Sequence, residues 1–286
     1  MHKDIVFVSD FYVEEAKGGA ELTTEALLSN SPYNVKKILS RNLTLQYAIE
    51  KKESFWIFGN FSHLKDEVKI YFAKNLFYSV IEYDYKYCKF RSDDLHKKTS
   101  GHCDCESTNV GKINSIFLSK SKLIWWMSEN QRNHYFEKFS FLKKTKNIVL
   151  SSAFSKEAIE YFEQFQNKNT QKNNKWVIMN SPSWIKNVDE CVEYAKSNSL
   201  EYDLVWGLPY SELLEKLSLS KGLVFLPSGK DTCPRLVIEA KLLGCELVLN
   251  DNVQHKDESW FENTSKILNH LKTRPSFFWS EISNHV

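Results

Sequence analysis

Short apolar runs recur along this chain, each closed by glycine, asparagine or charged residues. In the first half they are Ile5–Val8, Val35–Leu39, Phe55–Phe58, Tyr78–Ile81, Leu123–Met127 and Asn147–Leu150. In the second half they are Trp176–Met179, Leu204–Trp206, Leu223–Leu226 and Cys245–Leu249. Nearly continuous apolar runs of this length read as strands buried on both faces, as in a parallel sheet. Segments with helical spacing separate several of them: Ala20–Leu28, Glu129–Phe139, Lys156–Phe165, Val188–Lys196, Tyr210–Leu219 and Leu236–Leu243. Strands alternating with helices predict an α/β protein with mostly parallel sheets. No internal repeat of solenoid period is present.

The polar run at 166–175 is the best linker or exposed loop, and it divides the chain into two α/β halves. The expected division is 1–152, 153–265 and a final helix at 266–286. The segment 258–286 carries Trp260, Phe261, Ile267, Leu268, Leu271, Phe277, Phe278 and Trp279. That is too apolar for a solvated tail, so it is expected to pack back on the first half.

The chain has 286 residues, with 38 Lys+Arg against 36 Asp+Glu and a net charge of +2. This balance excludes an acidic tail protein and a chain that is basic throughout, but not a local basic groove. With 9 Gly and 6 Pro, collagen-like and low-complexity chains are excluded. No stretch approaches the ~20 apolar residues of a membrane span. The opening apolar run is short and Asp10 interrupts it, unlike a secretory signal. The six cysteines are irregularly spaced, so a cytoplasmic protein with mostly free thiols is expected.

The most informative stretch is Leu226–Asn250: strand end, loop, helix, a glycine stop and another strand. Its loop Ser228–Arg235 leads into a helix N-terminus, whose N–H groups and positive dipole end suit a diphosphate. Thr232 can cap that helix, and Pro234 fits its first turn. Glu239, two turns on, and Asp231 in the loop offer carboxylates that can accept hydroxyl groups of a ligand. Gly18-Gly19, in the first strand–helix loop, lets backbone approach a ligand without a Cβ. Lys186 offers a point charge for a leaving diphosphate.

These residues carry a family resemblance. Pro227-Ser228, then Asp231, Glu239, Ala240 and Gly244, resemble the donor segment of GT-B glycosyltransferases, especially retaining family 4. Phe7–Asp10 with Gly18-Gly19-Ala20-Glu21 resembles that family's first strand and glycine loop. Lys186 stands where members place a phosphate-binding lysine, and Ser181 where they place an arginine, a place that Arg235 can take over. The resemblance implies two Rossmann-like domains with the active site between them, and a C-terminal helix returning to the first. It implies transfer of a sugar from a nucleotide-sugar co-substrate, with retention, and with neither cofactor nor metal in the reaction. Asp231 and Lys186 are then the catalytic residues, and the hydroxyls that Glu239 and Asp231 accept are those of the ribose and the donor sugar. Gly18, Gly19, Lys186, Asp231, Thr232, Cys233, Pro234, Arg235 and Glu239 are the donor-binding set. The acceptor is left open among glycan, lipid-linked, protein and nucleic-acid base. A fold that binds sugar or nucleotide without turnover is the alternative, motivated by the missing arginine. A nucleic-acid-modifying enzyme is another, with Lys86, Lys89 and Arg91 as its groove.

Three further groups bear on chemistry. Cys88, His96, His102, Cys103 and Cys105 are thiols and imidazoles suited to zinc. Their spacing is not Cys-x2-Cys, and a polar loop with free thiols is the expectation. Glu82 and Asp84 follow a strand and are read as a surface turn, with an acceptor site as the alternative. His255 and Lys256 follow a strand end and are candidates to line the cleft. Trp125 and Trp126 are read as core.

Overall fold

The computed structural model describes residues 4–166 and 170–286. The fold is the expected α/β class, built on two parallel sheets. It divides into two compact units, 4–155 with 273–286 and 156–272. Part of the linker expected at 166–175 lies outside the described residues. The described part is not a free linker: Lys172 Nζ donates to the carbonyls of Ser218 (3.2 Å), Ser220 (2.9 Å) and Leu243 (2.8 Å).

In the first unit the elements run β1 (Ile5–Ser9), α1 (Gly19–Leu28), β2 (Val35–Leu39), α2 (Leu45–Glu50), β3 (Phe55–Phe58) and α3 (Asp66–Asn75). They continue with β4 (Tyr78–Glu82), α4 (Asp93–Ser100), α5 (Asn109–Lys120), β5 (Leu123–Trp126), α6 (Glu129–Lys138) and β6 (Asn147–Val149). The sheet order is β2-β1-β3-β4-β5-β6, all parallel. Strands β1, β3, β4 and β5 are buried throughout, whereas edge strand β2 exposes Lys36 and Lys37. Charge on an edge discourages further strand pairing.

Aromatic rings fill one face of this sheet. Phe58 meets Phe72 (4.9 Å) and Phe117 (5.0 Å) edge-on, and Tyr78 stacks on Phe117 at 4.7 Å. Such pairs add to plain burial when offset or edge-to-face. Trp125 and Trp126 are fully buried, so both are core.

The second unit runs α7 (Lys156–Gln166), β7 (Trp176–Met179), α8 (Val188–Ser197), β8 (Tyr202–Val205), α9 (Tyr210–Leu219), β9 (Gly222–Phe225), α10 (Arg235–Leu242) and β10 (Glu246–Leu249). Its sheet order is β10-β9-β7-β8, again parallel. Gly222 is dictated by packing: a Cβ there would lie 2.4 Å from the Trp176 ring and 2.7 Å from the Glu246 carbonyl.

The last helix, α11 (Thr264–Ser283), begins in the second unit and returns to the first from Thr273 onward. There Phe278 packs on Trp125 at 4.7 Å, and Trp279 Nε1 donates to the Leu27 carbonyl at 2.7 Å. The whole segment 258–286 was expected on the first half. Trp260 and Phe261 instead pack within the second unit, on His255 and Lys241, because those side chains offer a stacking face and a cation. Among the described residues no helix is long and apolar enough to cross a membrane.

Candidate active site

Parallel sheets bind ligands beyond the carboxyl ends of their strands, where the strand order reverses. In the second unit that point lies between β7 and β9. The turn Trp184–Lys186 follows β7, and the loop from Leu226 follows β9. The two are stitched together. Ser228 N donates to the Ile185 carbonyl (3.1 Å), Ser228 Oγ to the Trp184 carbonyl (2.7 Å), and Asn187 Nδ2 to the Leu226 carbonyl (2.9 Å). Asn250 and Asn252, beyond β10, both donate to the Pro227 carbonyl at 2.9 and 2.8 Å. Asp231 N donates to the Asn252 carbonyl at 2.8 Å, and Gln254 N to the Asp231 carbonyl at 3.1 Å.

This frame sets Lys186 Nζ 3.2 Å from Asp231 Oδ2 and 4.7 Å over the Phe225 ring. Both charged side chains keep some exposure, 26% and 16%, so the pair is reachable. Thr232, Cys233 and Pro234 are buried in the loop beyond it.

Helix α10 opens with Pro234 at its N-cap and no side-chain cap. The expectation that Thr232 caps this helix is therefore corrected: proline takes the cap place two residues later, and it has no side-chain acceptor. Arg235 opens the helix, and Glu239 lies one turn inside it on the same face. Arg235 Nε lies 3.6 Å from Glu239 Oε1, which also accepts from the Tyr210 hydroxyl at 3.0 Å. Glu239 is almost fully buried. Burial pushes its pKa up, opposed by the Arg235 charge and the Tyr210 hydrogen bond. The sequence reading missed Tyr210, whose place opening α9 gives no local sign of a partner in α10.

His255 is not a cleft residue. It is fully buried, stacked on Trp260 at 5.4 Å, and burial with the nearby Lys241 charge lowers its pKa to about 3. Lys256 is paired with Asp251 at 2.6 Å.

The first unit has its own polar cluster at the reversal between β1 and β3. Gly18 is the N-cap of α1, and Gly19 is its first residue. A Cβ on Gly18 would lie 2.5 Å from Glu21 Oε2, so glycine leaves room for that carboxylate to fold back over the helix start. Burial raises the Glu21 pKa, while Arg91, Asn60 and the Gly18 backbone oppose the rise. Asn60 Oδ1 accepts from Arg91 Nη2 at 3.2 Å, and Arg91 Nε donates to Asp84 Oδ2 at 2.6 Å. Lys86 Nζ then donates to both Asp84 Oδ1 and Glu82 Oε1 at 3.0 Å.

Glu82 is fully buried, which corrects its reading as a surface turn residue. Burial drives its pKa up to about 7 against the Lys86 charge, with Asp84 adding to the rise. Burial alone would also raise Asp84, but the Lys86 and Arg91 charges hold it well below the usual range. Asp10, beyond β1, accepts from Ser40 Oγ and from the backbone N–H groups of Ser62 (2.8 Å) and His63 (3.1 Å). Lys86 and Arg91 are thus bound to carboxylates and do not form a free basic groove. Sequence reasoning missed Asp10 and Asn60 as site residues. Their one signal is position: Asp10 directly follows strand β1, and Asn60 lies one glycine beyond β3.

Comparison with known proteins gives a fold and no family. No family profile and no curated protein matches the chain. Two crystal structures of HepE (Alr3699) from Anabaena share the fold. One, with UDP and glucose, has a TM-score of 0.54 at 10% identity over 99% of each chain. The other, with UDP-glucose, has a TM-score of 0.50 at 11% identity, covering 95% of this chain and 89% of that one.

Proposed function

We propose that this protein is a glycosyltransferase that takes a sugar from a nucleotide-sugar donor. The observation that carries the reading is the Lys186–Asp231 pair at the strand-order reversal of the second unit, beside a helix start without a side-chain cap. The donor's bond between the anomeric carbon and the diphosphate oxygen breaks. An acceptor hydroxyl oxygen bonds to the same carbon and passes its proton to the departing diphosphate oxygen, and the nucleoside diphosphate leaves. Negative charge builds on the leaving oxygen, and stabilising it is the main electrostatic task. Lys186 supplies the countercharge, and the first N–H groups of α10 face the phosphates. Asp231 holds a sugar hydroxyl within reach of Lys186.

Glu239 accepts the ribose hydroxyls, oriented by Tyr210 and Arg235. Thr232, Cys233 and Pro234 shape the loop. Transfer proceeds with retention by front-side displacement, without cofactor or metal in the reaction. A hexose is the first sugar to test, and UDP-glucose the first donor, because the fold relative was crystallised with UDP-glucose. For the acceptor, a hydroxyl compound fits better than a nucleic-acid base, since Lys86 and Arg91 are paired with carboxylates.

The test is release of nucleoside diphosphate from a panel of nucleotide sugars. Turnover that falls at least a hundredfold in Lys186→Ala, with the melting temperature kept, supports the reading. Binding of donor with no release by the unaltered protein would instead identify a non-catalytic binding module.

A further inference from the structure

The loop that follows β4 gathers four soft metal ligands that no part of the proposed reaction uses. Cys88 lies in the turn after β4, His96 on α4, Cys103 in the loop after α4, and Cys105 in a short helical turn before α5. Their ligand atoms all lie within 4.8 Å of one another. Cys88 Sγ is 3.8 Å from Cys103 Sγ and 3.7 Å from His96 Nδ1, and Cys105 Sγ is 3.3 Å from His96 Nδ1. A tetrahedral zinc with Zn–S near 2.3 Å and Zn–N near 2.0 Å places its sulfurs about 3.8 Å apart and sulfur from nitrogen about 3.5 Å. Those three spacings lie within about 0.2 Å of these edges, and all six are at most 4.8 Å. Cys88, His96 and Cys105 are buried and Cys103 is half-buried.

From this geometry we infer that Cys88, His96, Cys103 and Cys105 form a structural zinc site. Three thiolates with one imidazole are a soft donor set, which favours zinc over calcium or magnesium. The four protein ligands leave no position for substrate, so the ion holds the loop and takes no part in sugar transfer. His102, the fifth residue of the sequence cluster, is exposed and is not a ligand.

The surrounding chain is shaped to present this set. The turn carrying Cys88 closes through Cys88 N to the Tyr85 carbonyl (2.9 Å) and Arg91 N to the Cys88 carbonyl (2.8 Å). Arg91 takes a left-handed backbone with φ of 57°. Gly111 on α5 lets Cys105 seat closely: a Cβ at 111 would lie 2.0 Å from the Cys105 carbonyl oxygen. The Phe90 ring covers His96 at 4.9 Å. A metal at this place would pin the turn that brings Arg91 to Asp84 and Asn60. It therefore ties metal loading to the order of the polar cluster in the first unit.

The test uses the full chain, purified without a histidine tag from medium containing zinc. Elemental analysis is expected to find one zinc per chain, retained through gel filtration. Replacement by Co2+ is expected to give tetrahedral d–d bands with thiolate charge transfer, a readout on the unaltered protein that does not depend on any variant folding. Cys105→Ser is expected to lose the metal and lower the melting temperature by several degrees. Cys103→His keeps a ligand at the half-buried position and is expected to retain both. Chelator at elevated temperature is expected to strip zinc and lower the melting point together. Metal-free protein with an unchanged melting curve would overturn the inference. So would zinc that chelator removes without any change in stability, or a thiol titration showing two of the three cysteines joined as a disulfide.

Discussion

The Lys186 ammonium lies 3.2 Å from the Asp231 carboxylate, although the two residues are 45 positions apart and come from loops after different strands. Neither loop could place its residue alone. The turn at Trp184–Lys186 is held to the loop by Ser228 and Asn187, and the loop is held to the end of β10 by Asn250 and Asn252. A partly exposed pair of this kind adds about 0–1 kcal/mol to stability. Folding alone therefore gives little reason for its position at the mouth of the second sheet, where the proposed donor site would use it.

Glu239 tests the nucleotide side of the site. Glu239→Gln is expected to weaken donor binding by roughly 1.5–3 kcal/mol, the worth of a charge-assisted hydrogen bond. Tyr210→Phe removes the hydroxyl that orients Glu239 Oε1 and is expected to weaken binding by a smaller factor. Calorimetry with UDP-glucose reads both. Equal affinity in Glu239→Gln and the unaltered protein would remove Glu239 from the site.

Turnover is expected to persist in excess chelator, because in the proposed site Lys186 and the start of α10 would supply the positive potential that a metal provides in other enzymes. The melting curve must be followed on the same sample, since loss of the zinc inferred above would lower stability without bearing on chemistry. Activity lost while the fold is intact, and restored by magnesium or manganese, would count against this.

Glu82 gives the first unit a pH signature. Its folded pKa of about 7 stands above the ordinary carboxylate value of 4.5. Its contribution to stability is therefore full below pH 4.5 and is lost as pH rises toward 7, by at most about 1.4 kcal/mol per pH unit. The Asp84 shift runs the other way, with its loss confined below pH 3.8. Denaturant melts of Glu82→Gln from pH 5 to 8 are expected to show a flatter profile than the unaltered protein. Parallel profiles would show that Glu82 is not the titrating group.

Trp279 anchors the returning half of α11 through its packing and its hydrogen bond to Leu27. Trp279→Ala is expected to destabilise the chain by about 3–5 kcal/mol, as for other buried tryptophans. An urea midpoint within error of the unaltered protein would show that the helix end holds nothing.

Much of this architecture can be read from sequence because parallel strands announce themselves. Runs such as Phe55–Phe58 and Leu123–Trp126 are buried on both faces and need no periodicity to be seen. Helices α2 to α5 escaped for the opposite reason. Helix α4 is Asp-Asp-Leu-His-Lys-Lys-Thr-Ser and buries only Asp93 and His96, while α5 packs through Gly111, Asn114 and Ser115 as well as its apolar residues. No apolar stripe marks α4, and in α5 the apolar Val110 and Ile116 are exposed, so its pattern does not mark the buried face. In the second unit a single strand–loop–helix segment carries Asp231, Arg235 and Glu239, so that part of the site lies in consecutive sequence. The network of Glu21, Asn60, Asp84, Lys86 and Arg91 comes from one helix start and two loops, after β3 and after β4, joined only by the sheet order. Nothing local announces such a meeting.

The most direct test of the donor-site account is calorimetric titration of UDP, ADP, GDP, CDP and TDP, in chelator, into the unaltered protein and Lys186→Ala. The account predicts that at least one nucleoside diphosphate binds the unaltered protein, and that Lys186→Ala weakens it at least tenfold while the melting temperature stays the same. Binding of none of the five, or equal affinity in Lys186→Ala, would contradict it.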